Sequence, residues 1–291
     1  MVSKYNGFKD ISTQGQYLQE KYPKISVITV SFNRLEGLRE TFSSIISQTY
    51  KNIEYIIIDG ASQDGTLNFL HQNSGNISYW ISEKDAGIYD AMNKGALAAT
   101  GDWIIFMNCG DKFFAEDTLA NIAEYLDNSA DVIYGKTEYI VNDKYGYHTY
   151  QRQPYDLSII WREIPSCHQS IFVKRKLQVK YPFDTLLTWC ADHDLIAKLY
   201  VAGYNFQEVP VVISRFDASG GASRDLLSFT KERWSICRKY FGKSFQQELY
   251  FINEYKSFWL QKNIISKIRE MLPSEWILTL RKYRKIYTSP K

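Results

Sequence analysis

The chain has 291 residues, 35 basic against 32 acidic side chains and a formal charge of +3, with 45% hydrophobic residues, a make-up that excludes a disordered, collagenous or disulfide-scaffold protein. Its length suits one large α/β domain with an appendage, and so small a net charge gives no basis for a nucleic-acid partner. The four cysteines Cys109, Cys167, Cys190 and Cys237 form no CxxC pair and no basic-then-apolar leader opens the chain, so a reducing cytoplasm and no zinc site are expected, and no apolar run reaches the roughly 20 residues of a membrane span.

After a polar lead-in over residues 1–23, Ile25 to Val30 reads as a strand, and Leu35, Leu38, Phe42, Ile45 and Ile46 then recur at helical spacing. Ile53 to Ile58 is nearly all apolar, as in a sheet covered on both faces, and stops at the tight polar loop Asp59-Gly-Ala-Ser-Gln-Asp-Gly65. A strand over Ile77 to Ile81, a helix near Ile88 to Ala99 and a strand over Trp103 to Met107 continue the alternation, which implies a parallel sheet with right-handed crossovers. Beyond a helix around Glu116 to Leu126, strand-like stretches over Val132 to Ile140 and Tyr145 to Gln151 make this half mixed α/β. Ala191 to Ala202 carries a helical pattern. Phe206 to Phe216 reads as extended with Pro210 inside it, the mark of an edge strand or a bulge. From Arg224 onward the chain reads as mostly helix, interrupted at Pro273, so the expected organisation is a lead-in at 1–23, a catalytic domain at 24–223 and a helical region at 224–291.

In open parallel sheets, ligands bind at the carboxyl ends of the strands. Ser31-Phe-Asn33-Arg follows the first strand and Asp59 ends the second, so an amide and a carboxylate are placed to meet a nucleotide base; the Asp59 loop also reads as two turns and a helix cap. Asn108-Cys-Gly-Asp111 follows the strand ending at Met107, where a carboxylate can hold a divalent ion against a diphosphate or bond its own backbone. The cluster Glu83 to Gly95 runs from a loop into a helix whose start can face phosphate, with Asp85, Asp90 and Lys94 as candidate contacts or as members of a solvated helix face. Asp192, His193 and Asp194 stand at a helix start, where an aspartate serves as a general base or as a cap, and the two aspartates cannot point the same way.

Taken in this order, Ile25 to Asn33, Asp59 to Thr66, Ser82 to Gly95 and Thr100 to Asp111 resemble the inverting family-two glycosyltransferases of the GT-A fold, which build bacterial capsules, exopolysaccharides and lipopolysaccharide O-chains; the resemblance covers roughly Lys24 to Ser223. It implies an α/β fold of GT-A type, with a mixed, mostly parallel sheet flanked by helices and a helical C-terminal extension. It implies transfer of a sugar from a nucleoside-diphosphate donor, commonly UDP-linked, to a hydroxyl of a glycan or lipid-linked acceptor. Ser31, Asn33 and Asp59 would then hold the base and ribose, Asp85, Lys94 and Asn108 the donor pocket, and Asp111 a Mn2+ or Mg2+ ion. Asn108 and Gly110 stand where the family often carries carboxylates, and Ala191 where it usually has Glu. Asp192 would be the catalytic base with Asp194 in reserve, while His168 and Gln169 would lie near the acceptor and Gly220 and Gly221 in a loop closing over the diphosphate.

The thinned carboxylate motif keeps a second function open, a non-catalytic sugar-nucleotide-binding or scaffold protein of the same pathway. In the last region, Lys231, Arg233, Arg238, Lys239 and Lys243 mix with Trp234, Tyr240 and Phe241, and later Trp259, Trp276, Arg281, Lys282 and Arg284 follow. Basic residues among aromatics suit peripheral docking on the anionic inner face of a cell membrane, and equally a helical cap with a solvated basic side.

Overall fold

A computed structural model describes residues 23–127, 129–143, 146–218 and 225–265. The chain divides into two compact units, Met1–Ser223 and Arg224–Lys291.

The first unit begins with β1 (Ile25–Ser31), α1 (Leu35–Ile46), β2 (Ile53–Asp59), α2 (Thr66–Gln72), β3 (Tyr79–Ser82), α3 (Ile88–Ala98) and β4 (Trp103–Phe106). All seven β1 residues are buried, as expected of a strand covered by helices on both faces. β1 pairs in parallel with β2 and β4, and β2 with β3, so Ser31, Asp59 and Ser82 end in register at one edge. Helix α3 lies tight against the sheet at Gly95, where an added Cβ would collide with Ile28.

β5 (Lys112–Phe113), α4 (Thr118–Ala123), β6 (Val132–Asp143), β7 (Gly146–Arg152), β8 (Ile171–Lys174), α5 (Arg175–Lys180), α6 (Ala191–Val201) and β9 (Phe206–Asp217) complete the unit. The sheet has nine strands in the order β3-β2-β1-β4-β8-β6-β9-β5, with β7 paired to β6. β8 runs antiparallel to both β4 and β6, which makes the sheet mixed. This is the GT-A arrangement, with a helical C-terminal region. Pro210 marks a bulge, one of the two readings its place in the strand allowed: the β6–β9 register slips between the pairs Tyr134–Glu208 and Lys136–Val212, while β5 pairs with β9 only at Ser214 and Arg215.

The core joins Ile25, Val27, Leu38, Phe42, Ile57, Trp103, Ile105, Phe113, Ile133 and Phe172, all nearly inaccessible. At the amino ends of β1 and β2 the half-exposed Lys24 meets the buried Glu54, which also accepts from Ser26 Oγ and Thr100 N. Burial works to raise the Glu54 pKa, and these donors more than offset it, bringing it down to about 2. The polar end of the sheet away from the loops is thereby closed by one ionised carboxylate.

The second unit is a hairpin of α7 (Leu226–Phe241) and α8 (Phe245–Leu260), followed by a π-helical turn. Ser244 and Gln247 form a reciprocal capping box at the start of α8. Arg233 is 3% exposed and pairs with Glu254, whereas Arg238 stays exposed, pairing with Glu248 while lying over Trp234. Pro273, Trp276, Arg281, Lys282 and Arg284 lie outside the described residues.

Candidate active site

Four loops meet at the carboxyl edge of β1–β4. Asp59 is fully buried, and its carboxylate accepts from the backbone N and Oγ of Ser62 and from Ser82 Oγ at 2.6 Å. Asn33 has φ +51°, its N–H donates to Ser62 Oγ at 2.7 Å and its Oδ1 accepts from Gln63 N at 2.8 Å. Asp64 accepts from Leu35 N and Thr66 N, so one carboxylate serves the first turns of both α1 and α2. The β1 and β2 loops are thus laced together by the residues whose types suggested a nucleotide-binding role. Ser31 is also buried, with its Oγ toward the Cys109 sulfur.

Among the more open groups at this edge is one that the sequence did not single out. Phe32 is 62% exposed. A Cβ on Gly60 would stand 2.6 Å from Asp85 Oδ2 and 3.2 Å from the Phe32 ring, so only glycine lets these two side chains converge there. Asp85 accepts from Gly87 N at 2.9 Å. Lys94 is held within its own segment, 2.8 Å from Glu83 and 3.5 Å from Asp90.

The β4 loop is pinned from below. Thr41 of α1 donates to the Asp111 carbonyl at 2.7 Å and accepts from Gly110 N at 2.9 Å. Asp111 is 6% exposed and its Oδ2 accepts from Gln169 Nε2 at 2.6 Å. Burial pushes its carboxyl up to about 6 against that bond and against a backbone hydrogen bond from Asp217 at the end of β9, whose own charge adds a smaller push upward. Asp217 is a second carboxylate here that no local motif revealed; the pairing of Lys112 with Arg215 brings it there.

His168 and Gln169 occupy a short 3-10 turn, His168–Ser170, between β7 and β8. Beneath it runs a buried hydroxyl network in which Thr137 meets Ser166 and donates to Ser170, and Ser170 meets Ser214. His168 Nε2 lies 2.9 Å from Asn108 Nδ2, and its Nδ1 lies 3.3 Å from Asp192 Oδ2. Asp192, in the first turn of α6, also accepts from His193 N at 2.8 Å and from Tyr89 Oη at 3.4 Å. Burial alone would raise the Asp192 pKa; the hydrogen bond and charge of His168 outweigh it, so the group is lowered and ionised at neutral pH.

The neighbouring groups serve the fold. His193 is 4% exposed and contacts the Ile160 carbonyl, and Asp194 is 2% exposed and 3.7 Å from Lys198. Gly220 and Gly221 lie outside the described residues.

Among the described residues no cluster of three or more His, Cys, Asp or Glu forms a ready metal cage. The donors present still fit a hard divalent ion: a desolvated carboxylate at Asp111, and buried oxygens without hydrogen-bond partners on Asn108 and Gln169. Such ions take one or two carboxylates and complete their shells with phosphate oxygens and water.

A sequence profile described as "Glycosyl transferase family 2" matches residues 26–185, more than half the chain. An uncharacterized glycosyltransferase of Mycobacterium tuberculosis is 42% identical over 111 residues, which are 38% of this chain and 42% of that protein. The match therefore spans less than half of that relative. A PGL/p-HBAD biosynthesis glycosyltransferase of Mycobacterium bovis is 29% identical over 217 residues, 70% of this chain and 81% of its own. Among solved structures, the mannosyltransferase PcManGT of Pyrobaculum calidifontis, in complex with GDP-Man and Mn2+, superposes with a TM-score of 0.63 at 16% identity, covering 92% of this chain and 81% of that one. Residues 1–349 of S. aureus TarS, in complex with UDP-GlcNAc, give 0.61 at 18% identity, over 81% and 73%.

Proposed function

The chain belongs to glycosyl transferase family 2, and on that premise we propose that it moves one sugar from a nucleoside-diphosphate donor to an acceptor hydroxyl with inversion at the anomeric carbon. The observation that carries this is the hydrogen-bonded line from Asp192 through His168 to Asn108, which puts an ionised carboxylate beside the loops at the carboxyl edge of the sheet. Asp192 takes the proton of the acceptor hydroxyl. The acceptor oxygen forms its bond to the anomeric carbon as the bond to the β-phosphate oxygen breaks, and that electron pair leaves with the nucleoside diphosphate. Phe32 offers an exposed ring face for the base, with Asp85 and Asn108 beside the sugar and ribose. Asp111, with the open oxygen of Asn108, would hold Mn2+ or Mg2+, which supplies positive charge to the departing diphosphate.

The solved relatives carry UDP-GlcNAc or GDP-Man, and we favour UDP as the nucleotide. The acceptor we propose is a glycan or lipid-linked saccharide of bacterial surface polysaccharide synthesis, handled in the cytoplasm. A thermal-shift screen of the full chain against nucleoside diphosphates and their sugars, with and without Mn2+, tests the donor class. One nucleotide series should raise the melting temperature, more so with metal, by mass action. Silence toward every nucleotide would remove the transferase reading, and binding without turnover would leave the scaffold function.

Among the described residues no helix is long and apolar enough to cross a membrane. We place the protein on the membrane surface through α8. Phe245 is 80% exposed, and Leu249, Leu260 and Ile264 are also open, with Lys256 among them. The acids of this helix, Glu248 and Glu254, are turned to Arg238 and Arg233 of α7, so the open face pairs apolar area with positive charge. The full chain should sediment with phosphatidylglycerol vesicles and lose most of that binding in Phe245→Glu/Leu260→Glu. Equal sedimentation of the variant would rule this face out.

A further inference from the structure

The hairpin of β6 and β7 carries a row of aromatic side chains on the face that bears residues 166–170. Thr137 of β6 meets Ser166 and donates to Ser170, and the hydroxyl of Tyr139, two residues on, meets the Cys167 sulfur at 2.7 Å. Cys167 is followed by His168, whose ring lies 3.3 Å from Asp192, so the row adjoins the carboxylate assigned to the acceptor hydroxyl. The register sets Tyr139 opposite Tyr150 of β7 and Phe216 of β9. Tyr150 stacks on Tyr139 with ring centroids 5.2 Å apart, and Phe216 meets Tyr139 edge-on. Tyr139 is buried, whereas Tyr150 is 50% exposed, so the row ends in an open ring. Two residues along β7 and on the same face, the Arg152 guanidinium lies over the Tyr139 ring at 5.0 Å and over the Tyr155 ring at 4.6 Å.

Rings cover the flat faces of a guanidinium and leave the N–H donors around its edge unspent. Among the described residues, Arg152 has neither a hydrogen-bond acceptor nor a carboxylate in reach of those donors. The nearby acids are engaged elsewhere, Glu138 with Arg215 and Asp156 with the backbone N of Ser158. A partly buried cation held in this way is a fork that matches a phosphate or a carboxylate. Its charge also offsets the repulsion that an ionised Asp192 exerts on an anion brought alongside. We propose that Arg152 reads a negative charge on the acceptor, a phosphate or a carboxylate carried by the saccharide that receives the sugar, and that the open ring of Tyr150 packs against that saccharide. Calling the ligand an acceptor rests on the transferase reading of Asp192; the anion site itself does not.

The test titrates the full-length chain by NMR with phenyl glucoside, which is neutral, phenyl glucuronide, which adds a carboxylate to the same sugar, and phenyl phosphate, each with and without UDP and Mn2+. At least one anionic probe should bind about 10-fold more tightly than the glucoside, and UDP should not displace it. The preference should vanish in Arg152→Gln and shrink in Arg152→Lys, which keeps the charge without the fork. Tyr150→Ala should weaken the glucuronide about 3- to 10-fold; an unchanged affinity would take the ring out of the subsite. A preference for phenyl phosphate alone assigns the charge to a phosphate linkage, and one for the glucuronide alone to an acidic sugar. A glucoside that binds as tightly as both anions, displacement of the anion by UDP, or a preference that survives Arg152→Gln overturns the proposal. If Arg152→Gln does not fold, an undiminished preference in Arg152→Lys overturns it instead. If the Arg152-dependent preference stands while no nucleotide binds, the transferase reading fails and the anion site remains.

Discussion

Asp192→Asn should lower sugar transfer by about 10²- to 10⁴-fold, the span for loss of a general base, while nucleotide affinity stays within about 3-fold. The amide keeps the size of the carboxylate and can still accept from His168 Nδ1, but it cannot take the acceptor's proton. The carboxylate suits the role because it is ionised in place, with His168, His193 N and Tyr89 on its two oxygens. Those three donors leave about one of its roughly four lone-pair sites for an acceptor hydroxyl. Asp194 cannot substitute, since it is buried against Lys198 on another side of the helix. The assay is nucleoside diphosphate release from the donor found in the thermal screen, with binding measured in parallel. A variant that keeps the wild-type rate would take Asp192 out of the base role, and one that loses nucleotide binding together with rate would mark it as a donor contact.

The elements that were legible in the sequence are those whose burial is two-sided. β1, β2 and β4 are short apolar runs ending in polar turns, and their order alone implies a parallel sheet. β5 and β8 were missed because two and four residues carry no period, and they become strands only through partners far along the chain. The site was legible as a set of loops but not as a set of roles. Asn33, Asp59 and Asp64 are residue types that bind ligands or brace loops equally well, and only the fold shows Asn33 and Asp59 spent on Ser62 and Gln63, and Asp64 on helix starts. Lys94 pairs with Asp90 one turn away on α3, where charges close in sequence find one another, and with Glu83 in the loop that leads into the helix. Asp217, Tyr89 and the ring of His168 come to Asp111 and Asp192 from distant elements, and no local spacing announces such meetings.

Asp111→Asn should make the ligand-free protein more stable at pH 7 and abolish its response to metal and nucleotide. Asp111 is almost wholly buried, and desolvation raises its carboxyl from an ordinary 3.8 to about 6. A group whose pKa is higher in the folded state contributes stability while protonated and loses it as pH rises from about 4 to about 6, so at pH 7 the folded chain carries the full cost of a charged, buried carboxylate. A shift of this size corresponds to about 2–3 kcal/mol, or a rise in melting temperature of about 4–10 °C for the isosteric amide, which can still accept from Gln169 Nε2. The advantage should vanish below about pH 4, where the wild-type group is neutral in both states. The same substitution removes the formal negative charge that a divalent ion would meet at this loop, so the extra stabilisation given by Mn2+ with nucleotide should disappear. Thermal unfolding of both proteins from pH 4 to pH 8, with and without Mn2+ and UDP, reads the two effects at once. An amide variant that melts no higher than wild type at pH 7 would show that the buried charge costs the fold little. One that is stabilised by metal and nucleotide as strongly as wild type would move the cation away from Asp111, with Asp217 the next carboxylate to replace.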